Sequence, residues 1–160
     1  MARRTGIAAP DTAGRDQVDE VVAATRMVAA LIAESLASLE PVLTMPQWRV
    51  LVLANEGSCN VTAVAEDLRV HMSNATRMCD RLVAAGLLER QRAAYDRRHV
   101  LLHLTAAGEE LFESAMDYRR RAIQSAMDLM SKDERATVVS AASVFVKAAT
   151  QTRMTNRLQG

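Results

Sequence analysis

The sequence is poor in the residues on which several classes of protein depend. Of its 160 residues, 3% are aromatic, and there are 2 cysteines, 3 prolines and 6 glycines. Cys59 and Cys79 form no CxxC motif, so the sequence indicates no disulfide framework and favours a reducing, cytoplasmic location. No apolar run reaches the ~18 to 20 residues that cross a bilayer, which excludes a membrane-spanning protein.

Signatures of catalysis are also missing. The sequence has no glycine-rich phosphate loop, no HExxH motif and no paired cysteine motif. His99 and His103 share a strand face but lie about 13 Å apart at ~3.3 Å per residue, which is too far to bind one metal ion together. The sequence therefore predicts no enzyme, no cofactor and no metal site. A metal-responsive regulator that recruits Cys59 or His71 remains an alternative.

What the chain does contain favours helices and a single domain. Apolar residues make up 49% of the sequence, 9 of them are methionines, and most of the others are aliphatic. A core built from such residues is mostly helical, and a length of 160 residues suits one domain. We therefore expect a mainly α fold with one small sheet.

The net charge of +1 is unevenly distributed. Between Arg69 and Arg98, seven arginines stand against three acidic residues, which leaves this stretch at +4 and the remainder of the chain at about −3. A basic segment on a slightly acidic body is typical of a protein with a DNA-binding face. A merely solvated surface would give the same count, so the interpretation depends on the elements that carry the charge.

Residues 61–105 contain the elements around which the chain is organised. Residues 61–68 have the apolar spacing of a short helix, a turn begins at Arg69, and residues 73–85 form a second helix. The apolar stripe of the second helix consists of Ala75, Met78, Cys79, Leu82 and Val83. The other face is polar at its leading end, as in the recognition helix of a helix-turn-helix unit.

A β-hairpin is predicted directly after this helix. Gly86 ends the helix, because glycine adopts the left-handed conformation that helix ends favour. Two extended runs follow, over residues 87–92 and 99–104, and apolar residues alternate in the second run as in a strand. The segment between the runs is basic. A hairpin in this position makes a winged helix-turn-helix.

A series of short motifs runs through these elements. In order, they are Val64-Ala65-Glu66, Thr76-Arg77, Asp80-Arg81-Leu82, Gly86-Leu87, Glu89-Arg90, Asp96-Arg97-Arg98 and Leu104-Thr105-Ala106-Ala107-Gly108. Each motif alone is weak, but through their order and spacing residues 48–108 resemble the MarR family of bacterial transcription regulators. The resemblance implies a winged-helix homodimer that binds double-stranded DNA at pseudo-palindromic operators. It also implies that the protein usually represses, and often leaves the DNA when a small ligand or an oxidant acts on it.

The leading turns of the predicted recognition helix contain Ser73, Asn74, Thr76 and Arg77. Side chains at these turns meet base edges and phosphates. Asparagine suits adenine and arginine suits guanine, although contact of Arg77 with a phosphate is equally open. Asp80 and Arg81 lie further along the helix, and we expect them to pair with neighbouring residues instead of DNA.

The predicted hairpin supplies a second set of DNA-binding candidates. Arg97 and Arg98 point to opposite faces of the hairpin, so one can enter a minor groove while the other meets the backbone or Asp96. The resemblance assigns the minor groove to Arg98 and the orientation of the wing arginines to Asp96. Arg92 is a candidate phosphate contact.

Two positions depart from the family pattern. The family's turn often has glycine where this chain has Arg69, and proline at the start of the recognition helix where this chain has Met72. Arg69 is expected either to adopt another turn geometry or to add a phosphate contact. His71 is a candidate cap of the recognition helix, although histidine is a poor capping residue.

Long helices flank the predicted DNA-binding unit. The apolar surface of these helices exceeds what the winged-helix unit can bury, so we expect an obligate homodimer. The predicted organisation is a single domain at residues 15–150, with a disordered tail at 1–14, a polar tail at 151–160, a DNA-binding winged helix at 44–104 and dimerisation helices at 15–40 and 105–150.

Three features bear on regulation. Trp48 belongs either to the core or to a pocket for a small-molecule effector, which in the family often lies beside this helix. Cys59, in a loop, is predicted to be exposed and is a candidate redox sensor, whereas Cys79 lies on a packing stripe and is predicted to be inert. A winged helix used only for protein contacts is a further alternative, although such a scaffold would not need an arginine-rich wing.

Overall fold

Six helices and one hairpin make up the part of the chain that the computed structural model describes, residues 12–57, 59–92 and 100–158. In chain order they are α1 Thr12–Ala37, α2 Met45–Asn55, α3 Val61–Leu68, α4 Met72–Ala84, β1 Leu88–Arg92, β2 Val100–Leu104, α5 Ala106–Asp128 and α6 Lys132–Leu158. The strands pair antiparallel, with Leu88 opposite Leu104 and Arg92 opposite Val100. The predicted fold class, a mainly α winged helix-turn-helix with a small β-hairpin wing, is confirmed.

The chain divides into two compact units, Met1–Arg119 and Arg120–Gly160. The first unit holds α1 to α4, the hairpin and the first part of α5, and the second holds the rest of α5 and α6. The elements that bear on DNA all belong to the first unit. None of the helices in the described ranges combines the length and the hydropathy of a membrane span.

Helix α2 begins with a capping box. The Thr44 backbone N–H donates to Gln47 Oε1 at 2.9 Å, and the Gln47 N–H donates to Thr44 Oγ1 at 3.4 Å. These bonds satisfy donors that the first turn of a helix would otherwise leave free, and Pro46 in the same turn has no N–H to lose. A second capping box, between Ser131 and Glu134, starts α6 in the same way.

The core of the first unit forms around α2. Val50 and Leu51 are fully buried, and Trp48 is 5% exposed, which places Trp48 in the core. The other elements add further buried side chains, namely Val64, Ala75, Cys79, Leu82, Leu88 and Leu102. The predicted apolar stripe of α4 is thus the face that packs inward, and its polar face is left outward.

A two-point ion pair ties α2 to α3. Arg49 Nε donates to Asp67 Oδ2 at 2.7 Å, and Arg49 Nη2 donates to Asp67 Oδ1 at 3.0 Å. The Asp67 side chain is almost completely buried, and its hydrogen bond raises the pKa of Arg49 above the ordinary value. Because a planar guanidinium and a carboxylate meet at two points, the pair fixes both the distance and the relative orientation of the two helices.

The turn between α3 and α4 is closed by a Schellman motif. The Arg69 N–H donates to the Glu66 carbonyl at 3.3 Å, and the Val70 N–H donates to the Ala65 carbonyl at 3.0 Å. Arg69 has φ 53° and ψ 47°, the left-handed conformation that this motif requires. Arg69 therefore keeps the geometry that a glycine would adopt, at a cost of about 1 kcal/mol, and the expectation of another turn geometry is wrong.

Two glycines determine the geometry around Leu87, where the chain leaves α4 for the hairpin and the start of α5 packs against it. Gly86 has φ 72°, and the Leu87 N–H donates to the Leu82 carbonyl at 3.0 Å, so the predicted left-handed helix end is confirmed. Gly108 lies so close to this segment that a Cβ there would stand 2.1 Å from the Leu87 carbonyl oxygen. Thr105 starts α5, because its Oγ1 accepts from the Gly108 N–H at 3.1 Å.

Both predicted tails are helical where the structure describes them. Helix α1 begins at Thr12 and ends at Ala37, so the predicted tail at 1–14 is wrong for residues 12–14, and residues 1–11 lie outside the described residues. A single glycine such as Gly14 weakens a helix by about 1 kcal/mol but does not end it. Helix α6 continues to Leu158, so the predicted tail at 151–160 is wrong up to that residue.

Replacing Gly108 with alanine should destabilise the fold. The added methyl group would overlap the Leu87 carbonyl oxygen, which belongs to the backbone and cannot move aside alone. We expect the free energy of unfolding, measured by urea denaturation, to fall by about 3 kcal/mol. Ser114→Ala, an exposed change on the same helix, should alter it by less than about 0.5 kcal/mol. A Gly108→Ala protein as stable as this control would rule out the close approach.

Candidate nucleic-acid interface

The four candidate residues of the recognition helix lie together on the leading turns of α4. Ser73, Asn74 and Arg77 are exposed, and Thr76 is half-buried beside them. The Thr76 hydroxyl donates to the Met72 carbonyl at 2.8 Å, so it is engaged within the helix. The first turn of α4 contains no acidic residue. This end of the helix therefore presents polar and cationic groups to its surroundings.

Asn74 and Arg77 are joined by a hydrogen bond in which Arg77 Nη2 donates to Asn74 Oδ1. The two residues are one turn apart, so they share a face of the helix. The bond uses the amide oxygen of Asn74 and leaves its amide N–H groups and most of the guanidinium N–H groups of Arg77 as donors. The pair thus holds a set of donors in a fixed arrangement.

An exposed ion pair connects α4 to the hairpin. Arg90 Nη2 on β1 donates to Asp80 Oδ1 at 2.5 Å. The expected pairing of Asp80 with a neighbour is therefore confirmed. The same expectation for Arg81 is wrong, because Arg81 is exposed and its side chain makes no hydrogen bond or ion pair with any residue that the structure describes.

Among the wing candidates, Arg92 falls within the described residues. It is exposed at the end of β1, opposite Val100 at the start of β2. Asp96, Arg97 and Arg98 belong to residues 93–99, which lie outside the described residues. The roles of these three side chains stay predictions from the sequence.

Sequence reasoning missed a cluster in which Trp48 contacts two residues of α5. The Trp48 and Phe112 rings stack with their centroids 5.0 Å apart and their planes 9° apart. The guanidinium carbon of Arg119 lies 4.3 Å from the Trp48 ring centre. Arg119 Nε also donates to the hydroxyl of the fully buried Ser35 at 2.9 Å. The cluster therefore joins α1, α2 and α5.

Arg119 is only partly satisfied in this cluster. Its Nη1 donates to Met116 Sδ at 3.8 Å, and its buried Nη2 has no hydrogen-bond partner among the residues described. Burial lowers the pKa of the Arg119 guanidinium from its ordinary value. The signal in the sequence was the interruption of the apolar pattern of α5 by Tyr118 and the arginines that follow it. Spacing within one helix could not show which of these arginines α1 and α2 would cover.

Both cysteines are buried. Cys59 is 1% exposed and pairs with Leu102 through a β-bridge, so the prediction that Cys59 is exposed is wrong. Cys79 lies at 0% exposure on the packing face of α4, as predicted. Burial, together with the neighbouring Cys79, raises the pKa of Cys59 to about 11. The thiolate that oxidants attack is therefore scarce at neutral pH, which disfavours a redox sensor at this position.

The histidine before α4 neither caps the helix nor joins a metal site. The side chain of His71 makes no capping hydrogen bond, so the predicted cap is wrong. Within the described ranges, no group of three or more His, Cys, Asp or Glu residues is placed to hold a metal ion. The chemistry that the site does offer is a polar, arginine-bearing helix face beside a hairpin, which suits nucleic acid.

Comparison with known proteins agrees with this geometry. The model of the MarR family matches residues 43–100. The HTH-type transcriptional regulator YfiV of Bacillus subtilis is 30% identical over 107 residues, which cover 66% of this chain and 67% of that protein. The HTH-type transcriptional repressor MdtR of the same species is 32% identical over 118 residues, which cover 72% of this chain and 74% of that protein.

Similarity to a solved structure extends over most of the chain. The crystal structure of RV1404 from Mycobacterium tuberculosis has a TM-score of 0.75 and 33% identity, and the match covers 88% of this chain and 96% of that chain. The curated relatives are HTH-type transcription regulators. The chain therefore belongs to the MarR family, and it is a DNA-binding transcription regulator and not an enzyme.

Proposed function

We propose that the protein is a sequence-specific repressor that binds a pseudo-palindromic operator as a homodimer in the cytoplasm and releases it when a small ligand binds. The observation that carries this proposal is the leading face of α4, where Ser73, Asn74 and Arg77 are exposed and no acidic residue stands in the first turn. In a helix-turn-helix protein these turns enter the major groove. The name of the MdtR relative supports repression as the outcome.

The hydrogen bond between Asn74 and Arg77 favours a base contact by Arg77 over one by Asn74. Asparagine reads adenine through its amide oxygen and nitrogen together, which here would require the bond from Arg77 to open. Arginine reads guanine through two N–H groups, and Arg77 has these to spare. We therefore assign a guanine contact to Arg77 and its orientation to Asn74. Thr76, whose hydroxyl is engaged with Met72, would contribute its methyl group.

The wing completes the proposed interface. Arg92, exposed at the end of β1, would contact a phosphate. Arg98 would enter the minor groove, with Arg97 at the backbone and Asp96 orienting the two arginines. The exposure of Arg92 supports its proposed phosphate contact. The roles proposed for Asp96, Arg97 and Arg98 are supported by the sequence pattern alone.

Sequence-specific binding is the central test. Genomic fragments selected by the protein should share an inverted repeat with half-sites about one helical turn apart. Arg77→Ala should weaken binding to this operator by about 1 to 3 kcal/mol and relax the preference at one base pair of each half-site. Equal wild-type affinity for selected and scrambled duplexes would indicate a protein-interaction scaffold instead. A uniform loss across sequences in Arg77→Ala would assign Arg77 to a phosphate.

Exposed apolar side chains support the homodimer. On α1, Val18 is 60% exposed and Met27 is 72% exposed. On α6, in the second unit, Val144 is 65% exposed and Phe145 is 52% exposed. Large apolar side chains exposed on a helix favour an interaction site, and a two-fold dimer can place two recognition helices about 34 Å apart to match successive major grooves.

A charge on the apolar face of α6 tests the dimer. Phe145→Asp would bury a carboxylate without a partner, so it should raise the dimer dissociation constant by at least ~100-fold. Sedimentation should show monomers, and operator binding should fall in parallel. Lys147→Asp introduces the same side chain on the other side of the helix and should remain dimeric. A Phe145→Asp protein that is dimeric and binds the operator normally would exclude this interface.

Release by a small ligand is supported by the partly satisfied Arg119. A buried guanidinium N–H without an acceptor is unfavourable, and a carboxylate is the acceptor that a guanidinium binds best. The Trp48 ring, stacked on Phe112, lies 4.3 Å from the guanidinium carbon of Arg119. Because Trp48 belongs to α2, which Arg49 and Asp67 tie to α3, a ligand that moves Trp48 would act on the helix-turn-helix unit. We therefore expect an effector that carries a carboxylate on an aromatic ring.

Trp48 is the single tryptophan in the sequence, so intrinsic fluorescence reports on this cluster. Benzoate, a simple aromatic carboxylate, should change the fluorescence and weaken operator binding over the same concentration range. Arg119→Met removes the guanidinium but keeps an apolar side chain and should abolish both responses. Arg121→Met, at an exposed position on the same helix, should keep both. If benzoate weakens operator binding equally in Arg119→Met, release does not act through Arg119.

A further inference from the structure

A recess beside the recognition helix shares Asn74 and Arg77 with the base contacts proposed above and extends to residues that have no part in them. It has a volume of about 380 Å³ and lies between the first turn of α2 and the side of α4. Thr44 and Gln47 line it from α2, and Arg77 and Arg81 line it from α4. Because Arg77 belongs both to this lining and to the leading face of α4, the recess is continuous with the proposed DNA interface.

The lining of the recess carries positive charge and no negative charge. Its charged members among the described residues are Arg77 and Arg81. The first turn of α2 contains no acidic residue, and the amino end of a helix favours an anion. Half-buried Val70 and Met78 contribute apolar surface. The recess therefore suits an anionic group.

The nearby arginines differ in what they already bind. Arg77 donates to Asn74, and Arg90 donates to Asp80. Arg81 is exposed, and its guanidinium forms no hydrogen bond or ion pair within the described part of the chain. It lies one turn beyond Arg77, about 6 Å further from the leading end at 1.5 Å per residue. The Arg81 guanidinium is thus available to bind an anion at a recess that no acidic residue lines.

We propose that this recess receives a phosphate of the operator backbone and that Arg81 holds the phosphate. The inference rests on the proposed function, since it requires α4 to lie in the major groove. Base edges then lie ahead of the leading turns, and phosphates flank the helix on the side where α2 forms the other wall of the recess. Arg81 is therefore a positioning residue, which fixes the register of α4 on the duplex and carries no sequence preference.

The test compares the salt dependence of DNA binding by the full-length wild-type protein and Arg81→Gln. Dissociation constants are measured for the selected operator and an unrelated duplex between about 50 and 200 mM salt. Each neutralised phosphate contributes ~0.9 to the slope of log affinity against log salt, so one contact per protomer should lower the slope of a dimer by ~1.8. Over this range the variant should lose ~12-fold less affinity than the wild type on both duplexes.

Two control variants separate charge from folding. Lys132→Gln removes a charge at the exposed start of α6 and should leave the slope unchanged. Arg81→Lys keeps the cation and should keep most of the slope. An unchanged slope in Arg81→Gln overturns the inference. A loss confined to one operator base pair also overturns it, because Arg81 would then read a base.

A free anion is the other possible occupant with the same chemistry. Inorganic phosphate that raises the Tm of the wild type but not of Arg81→Gln, without any difference in the DNA slope, would overturn the assignment to the operator backbone. Failure of the proposed function would be visible separately, as equal wild-type affinity for both duplexes. Failure of this inference alone would leave the wild-type preference intact and remove the difference between the variants.

Discussion

The burial of one narrow stripe on α4 determines where the proposed DNA-binding side chains of that helix lie. Ala75, Cys79 and Leu82 lie at 1% exposure or less against the rest of the core. Rotating α4 by one residue, about 100°, would expose this stripe, and full burial of a leucine side chain alone contributes about 1.5 to 3 kcal/mol. The outward direction of Asn74 and Arg77 is therefore a consequence of packing on the opposite face. The site and the core are two sides of one helix.

The arginines of the first unit differ in the residues that their side chains contact. Arg49 meets the nearly buried Asp67 at two points and acts in the core, where removal of either partner would leave a charge without compensation. Arg90 reaches an exposed carboxylate, and a pair of this kind contributes about 0 to 1 kcal/mol, so it positions the hairpin more than it stabilises the fold. Arg119 is covered by apolar neighbours, whereas Arg81 is open to solvent. A count of basic residues along the sequence does not distinguish these arginines. Their contacts in the structure show which stabilise the fold and which are open to solvent.

Features set by neighbouring residues could be predicted from the sequence, and features set by distant contacts could not. The glycine end of α4 depends on a few consecutive residues, so its motif was sufficient. Cys59 looked like part of an exposed loop, but its carbonyl accepts from the Leu102 N–H at 2.7 Å, a contact between distant parts of the chain. The burial of Arg119 likewise requires α1 and α2 to come together. The helical extent of the two ends was not predicted, because polar residues and a single glycine weaken the signal of a helix in the sequence without ending the helix.

Arg69 shows how a departure from the family pattern can leave the geometry of the site unchanged. The bonds from the Arg69 and Val70 N–H groups to the end of α3 require a left-handed residue, whichever side chain is present. An arginine there costs about 1 kcal/mol relative to glycine, a small part of the roughly 5 to 15 kcal/mol by which folded domains are stable. The angle between α3 and α4 is therefore the one that a glycine would set. What the substitution changes is the charge at the turn, which gains an exposed cation next to the recognition helix.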